Sequence, residues 1–459
     1  MTNESQNDII VAGATPPGKS ALAIVRVSGP GCIAVVSNMI PALRKLEQGS
    51  SRKILYGFAV DGDDRAIDEI TVIPYIAPAS YTAEEMVEII CHGGFMSSRT
   101  IIDRLLECGA RLAEPGEFTK RAFVNGRISL SQTEAVIAAI EAKSELALKA
   151  AARNLKGELY EKIDSIRTEI RDILTLIEAE IDFSDEEIEK TPLQKIASSL
   201  VDQFQVATAI LKSYDFGRGL NQGYRLAIVG RANVGKSSLL NALLQKDRAI
   251  VTEIPGTTRD TLTEWIEIGG FPILLTDTAG LRESGDPVEM IGQARTRGEI
   301  ENSDLILFMI DGSTGITDED REIYNLISDR PTLVVANKAD LGFSTGLNIS
   351  VQFPGSEVVA ISALKGSGLG ELEEKIGRAL SLDDFNLDTA ILATERQYRS
   401  MQAVCETLAE ALEEIENGAT EEVLAAFLRE ALDHLGELVG ETTTEDILNA
   451  IFARFCVGK

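Results

Sequence analysis

Two stretches of the chain fit the phosphate-loop pattern G-x-x-x-x-G-K-[ST]: "GATPPGKS" at residues 13–20 and "GRANVGKS" at residues 230–237. In such a loop successive backbone N–H groups point inward at a phosphate, between the end of a strand and the positive end of a helix. Proline has no N–H to offer. Pro16 and Pro17 fill the middle of the first stretch, and the residues after it, Ala21 to Val27, read as a strand running into Ser28-Gly29-Pro30. The second stretch meets the requirement. The apolar run Arg225 to Val229 leads in, no proline interrupts, and Ser238 to Leu244 leads out as a helix.

In this second loop Asn233, Val234, Gly235, Lys236, Ser237 and Ser238 are the expected phosphate contacts, with Lys236 reaching the β- and γ-phosphates and Ser237 holding Mg2+. Downstream, "DTAG" supplies Asp277, Thr278, Ala279 and Gly280; Asp277 suits the outer shell of the magnesium site and the Gly280 N–H suits the γ-phosphate. "NKAD" supplies Asn337, Lys338 and Asp340, and "SAL" supplies Ser362, Ala363 and Leu364. A carboxylate at 340 can accept both the N1 and N2 hydrogens of guanine, which adenine cannot supply. "PGTTRD" at 255–260 is the candidate first switch, with Thr258 as the second Mg2+ ligand. Four elements in this order point to GTP as the ligand.

Hydrolysis requires a group that orients water. Leu281 stands directly after D-x-x-G, where many GTPases carry glutamine. Glu289 is a candidate, since a carboxylate can orient water directly or through a second water; an exposed charge on a switch segment is the other reading. Asn233 offers an amide oxygen that could hold a monovalent cation beside the phosphates, or it is a simple turn-former.

These residues need elements to position them. At 459 residues the chain is long enough for roughly three domains. Hydrophobic content of 44% with 13 prolines argues for folded structure and against disorder. The N-terminus lacks the pattern of a signal peptide and no apolar run is long enough to span a membrane, so a cytoplasmic location is expected. Five cysteines without a C-x-x-C pair argue against a disulfide framework or structural zinc. Lone His92 and His434 show no metal-ligand spacing. A formal charge of −28 argues against a broad nucleic-acid-binding face, so any nucleic-acid contact must be local or borrowed from a partner.

Residues 1–127 alternate short β-like runs with turn signals and helical patches, which predicts an α+β domain. Residues 128–219 are helical: Leu155, Leu159, Ile163, Ile166, Ile170, Ile173, Ile177 and Ile181 recur every three or four positions as one stripe. Residues 220–382 alternate apolar strands with helices, the mark of a mostly parallel sheet, and residues 383–459 are helical again. The fold class is therefore multidomain α/β, with the α/β unit inserted in a helical domain and its ends expected close together.

The GTPase motifs, together with "TPPG" at 15–18, "PGEFTKRAFVNGR" at 115–127 and "FCVGK" at 455–459, resemble the bacterial tRNA modification GTPases of the MnmE (TrmE) family over essentially the whole length. The resemblance implies a Ras-like P-loop GTPase domain at 220–382 and an N-terminal folate-binding-like and dimerisation domain at 1–127. It implies a homodimer that works with the flavoprotein MnmG (GidA), in a heterotetramer or larger complex, to add a carboxymethylaminomethyl or aminomethyl group at C5 of the wobble uridine of certain tRNAs. The one-carbon unit would come from 5-formyl- or 5,10-methylene-tetrahydrofolate. Folate contacts fall on Arg26, Glu88, Arg127 and Lys459, and Arg127 departs from the lysine expected there. The resemblance further implies that Asn233, with oxygens near Thr252, Ile254 and Thr257, holds K+, that Thr252 and Thr257 join the nucleotide site, and that Glu289 organises the water. Cys456 is a candidate nucleophile toward C6 of uracil, or a packed terminal thiol. The competing class is a regulatory GTPase switch in ribosome assembly or signalling with no chemistry of its own.

Overall fold

A computed structural model describes residues 8–45, 51–182, 192–246, 263–277, 298, 300–344, 349–353, 355–380 and 390–459. By contacts the chain divides into two compact units, one of Met1–Ile137 with Leu428–Lys459 and one of Ala138–Phe427.

The first unit is built on strands β1 (Ile10–Gly13), β2 (Leu22–Ser28), β3 (Leu55–Val60), β4 (Ala66–Tyr75), β5 (Met86–His92) and β6 (Arg111–Leu112). Their order is β3-β4-β5-β2-β1-β6, antiparallel except where β6 joins β1. Alternate residues Val25, Val27, Val87 and Ile89 bury one face against Ile101 and Leu105 of the helix Phe95–Glu107. The α+β character expected from the turn spacing is present.

"PGEF" has a packing explanation. Gly116 adopts φ 71°, and a Cβ there would lie 2.7 Å from the Phe452 carbonyl oxygen. Glu117 is buried and accepts from Arg111 Nη1 and Nη2, from Arg121 Nη2 and from the Glu114 N–H, while Arg121 and Arg111 also hold Asp8. Phe118 is wholly buried and its N–H donates to the Lys459 carbonyl at 3.2 Å. The chain end is thereby seated: Phe452 and Phe455 stack at 5.9 Å and pack with Val136 and Ile137, and a Cβ on Gly458 would meet the Gly13 carbonyl at 2.2 Å.

The second unit carries β7 (Tyr224–Val229), β8 (Thr263–Ile268), β9 (Phe271–Asp277), β10 (Leu305–Asp311), β11 (Thr332–Asn337) and β12 (Glu357–Ala360), in the order β12-β11-β10-β7-β9-β8. All neighbours are parallel except the edge strand β8. Strand β10 is buried at every position because both sheet faces are covered. Its residues alternate between two cores: Leu307 and Met309 pack with Leu226, Ile228 and Val335, and Ile306 and Phe308 with Ala227, Val229 and Val334.

The helix Glu158–Asp182 buries Leu159, Ile163, Ile166, Ile170, Ile173 and Ile177, as the stripe predicts. Leu155 lies outside this helix, and Ile181 falls in its last turn. Gly157, at φ 107°, ends the helix Glu145–Lys156, so the phase restarts at Glu158 and Leu155 is left 37% exposed, while Ile181 is half-buried. The segments entering and leaving the α/β residues run side by side: the Leu392 N–H donates to Ser213 Oγ at 2.9 Å, and Asn221 Nδ2 to the Ala393 carbonyl at 3.2 Å. Among the described residues no helix is long and apolar enough to cross a membrane.

This packing sets two expectations for stability. A Cβ on Gly217 would lie 1.9 Å from the Leu392 carbonyl oxygen, whereas one on Gly377, also helical, meets nothing within 4 Å. Gly217→Ala is expected to cost about 3 kcal/mol and Gly377→Ala to stabilise by up to about 1 kcal/mol, read as opposite shifts of the urea midpoint. The second concerns acid. Burial pushes the Glu117 and Asp8 carboxyls up, but hydrogen bonds and charge from Arg111 and Arg121, and for Glu117 the Glu114 N–H, outweigh it and hold both below their ordinary values. Native values below unfolded ones mean stability that is complete above the unfolded carboxylate range and is lost as pH falls through the lowered native values. The melting temperature should therefore drop below about pH 4. Glu117→Gln should lower it at neutral pH, by about 3 kcal/mol of stability, and flatten the acid limb; an unchanged acid limb in this variant would contradict the assignment.

Candidate functional site

The two phosphate-loop matches fold differently. Residues 14–20 of the first, with Ala21, connect β1 to its antiparallel neighbour β2, with Gly13 paired to Val25. The Ala14 N–H donates to the Ile24 carbonyl at 2.7 Å and the Ile24 N–H to Thr15 Oγ1 at 3.1 Å. A hairpin connection with no helix behind it offers no phosphate cradle.

The second match leaves β7 and enters the helix Lys236–Lys246. β7 lies between β9 and β10, where the strand order reverses, which is the point at which open parallel sheets bind ligands. The loop is tightly specified. Gly230 faces the Met309 carbonyl, which a Cβ would meet at 2.4 Å; Asn233 is held in the left-handed region at φ 64°; and a Cβ on Gly235, at φ 102°, would stand 2.3 Å from Asn337 Nδ2. Val234 is buried in the sheet's core, and Ser237 and Ser238 lie at the helix start, both exposed. Lys236 donates its Nζ to the carbonyls of Gly230 and Arg231, each at 2.8 Å.

The motifs expected to read a base converge on this loop. Asn337, buried at the end of β11, donates Nδ2 to the Val234 carbonyl at 2.7 Å and accepts the Ala363 N–H on Oδ1 at 3.0 Å. Lys338 sits at φ 65° with Nζ on Asp311 Oδ2 at 2.7 Å. Ser362 Oγ donates to Asp340 Oδ1 at 2.7 Å, and this bond holds the Asp340 carboxyl below the usual range. Asp340 is therefore an ionised acceptor at neutral pH, the form that two guanine N–H groups need. Leu364 is exposed. Asp277 ends β9, with its Cα paired to Ile228. Thr252, Ile254, Thr257, Thr258, Thr278, Ala279, Gly280 and Glu289 lie outside the described residues.

A second constellation forms in the first unit. Arg26 donates Nε and Nη2 to Glu88 Oε1 at 3.1 and 2.8 Å and Nη1 to the Gly458 carbonyl at 3.3 Å. The other Glu88 oxygen accepts the Tyr75 hydroxyl at 3.1 Å. Arg26 and Arg127 both stack on Tyr81, at 5.1 and 4.9 Å from its ring centroid, and Arg127 Nη1 donates to the Tyr81 carbonyl. Arg26 and Arg127 are thus linked through Tyr81 and Glu88 through Arg26, and the backbone next to Lys459 reaches Arg26; two cations and a carboxylate in one place suit an anionic ligand with polar N–H edges. Tyr75 and Tyr81 escaped the sequence reading, because nothing in a strand or loop tyrosine announces a cross-strand partner. Cys456 is exposed and its carbonyl accepts the Lys459 N–H. Of the lone histidines, His92 Nδ1 lies 2.7 Å from Asp68 Oδ1. Among the described residues no cluster of His, Cys, Asp and Glu could hold a metal ion.

Two family profiles match the chain: "GTP-binding protein TrmE N-terminus" over residues 9–127 and "MnmE helical domain" over residues 130–456. Full-length relatives are similar throughout. The tRNA modification GTPase MnmE of Aquifex aeolicus is 43% identical over 98% of this chain and 99% of its own length. That of Moorella thermoacetica is 42% identical over 99% and 100%, and that of Thermotoga maritima 43% over 98% and 100%. Among solved structures, Aquifex aeolicus Era bound to GDP.AlF4- is 33% identical over 40% of this chain and 66% of its own, with a TM-score of 0.30, too low to bear on the fold. Profiles that abut at residues 127 and 130, and identity above 40% from end to end, establish that this chain belongs to the MnmE family of tRNA modification GTPases.

Proposed function

We propose that the chain is a GTP-hydrolysing enzyme of tRNA modification that installs an aminomethyl-type group at C5 of wobble uridine together with a MnmG-like flavoprotein. The GTP-binding and hydrolysing part follows from family membership. The observation that carries it at residue level is the Asn337 side chain, whose amide ties the phosphate loop to the loop bearing Ala363 while Asp340 stands three residues on as an ionised acceptor. Guanine would be read by Asp340, and the phosphates by the N–H groups of residues 233–238 with Lys236. The Lys236 ammonium, already held by the Gly230 and Arg231 carbonyls, neutralises developing charge with little reorganisation.

Mg2+ would be held by Ser237 and Thr258, and it supplies Lewis-acid neutralisation of phosphate charge. K+ would be held by Asn233 with oxygens of Thr252, Ile254 and Thr257; its positive charge beside the phosphates takes the part of an arginine finger. Two features support this reading: the left-handed Asn233 on the exposed side of the loop, and Leu281 where a water-orienting glutamine would stand. Glu289 then orients water, and pairing of two such domains in a homodimer completes the site. In the first unit Arg26, Glu88, Arg127 and Lys459 would bind a formyl- or methylene-tetrahydrofolate, the cations taking its glutamate tail and the carboxylate its pterin N–H groups. Cys456 is the candidate nucleophile toward the uracil ring.

A complementation panel tests the whole. In cells lacking this gene, mass spectrometry of tRNA nucleosides should show loss of C5-aminomethyl-type uridines, restored by the wild type and not by Asp277→Ala, Asn233→Ala or Arg26→Ala. Purified Arg26→Ala should keep GTP hydrolysis but no longer retain 5-formyl-tetrahydrofolate on dialysis. Asn233→Ala should retain the folate but lose the excess of the rate in potassium over that in sodium. An unchanged nucleoside profile in the deletion would favour a regulatory switch.

A further inference from the structure

One side chain of the phosphate loop has no part in the contacts described so far. Arg231 donates Nη2 to Thr314 Oγ1 at 2.8 Å, and its Nε lies 3.4 Å from Asp320 Oδ2. Asp320 is wholly buried, and the same oxygen accepts the N–H and hydroxyl of Thr317 at 2.9 and 2.8 Å, capping the helix Asp318–Asn325. A carboxylate at that depth is costly unless a cation faces it, and the cation there is Arg231. Arg231 Nε and Asp320 Oδ1 make no hydrogen bond, so charge and burial hold the pair more than saturated bonding does.

The backbone of the same residue has a second task. Its carbonyl and that of Gly230 each accept from Lys236 Nζ. The peptide joining residues 230 and 231 is thus fixed on one side by the close approach of Gly230 to Met309 and on the other by the guanidinium reaching Thr314 and Asp320. Where that peptide stands decides where the ammonium stands.

We infer that Arg231 is a positioning residue for nucleotide binding and hydrolysis: its anchorage on Asp320 and Thr314 fixes the carbonyls that aim Lys236. This rests on the proposed GTP site. The guanidinium faces its two partners with different nitrogens, Nη2 toward Thr314 and Nε toward Asp320, a spread that a lysine, whose donors all sit on one atom, does not reproduce.

The test is GDP affinity by calorimetry, with Mg2+ and the full-length chain, for wild type, Arg231→Gln, Asp320→Asn and the double variant, alongside kcat for GTP and melting without nucleotide. Each single variant should bind GDP about tenfold more weakly with lowered kcat, and the double variant no more weakly than the singles. Singles that melt earlier yet keep wild-type affinity and kcat at low temperature would reduce Arg231 to a purely structural role and overturn the inference; additive losses in the double variant would overturn the pairing. Should Arg231→Gln not fold, Arg231→Lys decides: weakened GDP binding at wild-type melting supports the inference, and wild-type binding defeats it. If the wild type itself binds no GDP, the GTP-site reading falls, an outcome distinct from variants that match a binding wild type.

Discussion

The buried amide of Asn337 is the constraint on which the nucleotide site depends. Its donor goes to Val234 of the phosphate loop and its acceptor to Ala363, so two loops more than a hundred residues apart in sequence share one side chain. Parallel strands make this possible. β7 and β11 both end on the same edge of the sheet, so the segments that follow them emerge together, and a short polar side chain can span the gap. Gly235 has no Cβ because Asn337 Nδ2 occupies that space. The left-handed Asn233 and Lys338 are two more backbone conformations that the surrounding bonds hold in place.

In the other unit the same logic works through charge and the chain terminus. Buried Glu117 and Arg121 and the partly exposed Arg111 form a mutually paired group, and the next residue, Phe118, donates its N–H to the carbonyl of the chain end. Gly458 can approach the first loop only because it lacks a side chain, and its carbonyl then reaches Arg26. The "PGEF" and "CVGK" elements and the Gly13-Ala14 step just before "TPPG", scattered over the whole sequence, are one contact set in space. This explains why short motifs without catalytic residue types can be specific marks of a family.

Much of this was legible in the residues. Two prolines and a following strand pattern exclude the first phosphate loop without any coordinates, and the unbroken apolar run of β10 anticipates a sheet covered on both faces. The helical stripe from Leu159 to Ile177 also reads directly, since 3.6-residue spacing is a local property. Its N-terminal end does not, because Gly157 resets the helical phase and puts Leu155 in a different helix. Long-range partners are illegible for a related reason: that Tyr81 receives Arg26 and Arg127, or that Arg231 meets Asp320, depends on strand and helix placement that no window of sequence contains.

The most direct test of the nucleotide site is base selectivity. Affinities of the full-length protein for GDP, ADP and XDP should be compared between wild type and Asp340→Asn. The carboxylate of Asp340, held ionised by Ser362, should favour GDP over both others in the wild type by about a hundredfold or more, because a site built for two N–H donors leaves its acceptor unpaired with adenine. The amide that replaces this carboxylate in the variant offers an N–H to the C2 oxygen of xanthine, so the variant should prefer XDP. Equal affinity of the wild type for GDP and ADP, or a variant that still prefers GDP, would contradict the assignment of residues 337–340 and 362–364 to guanine and with it the central claim.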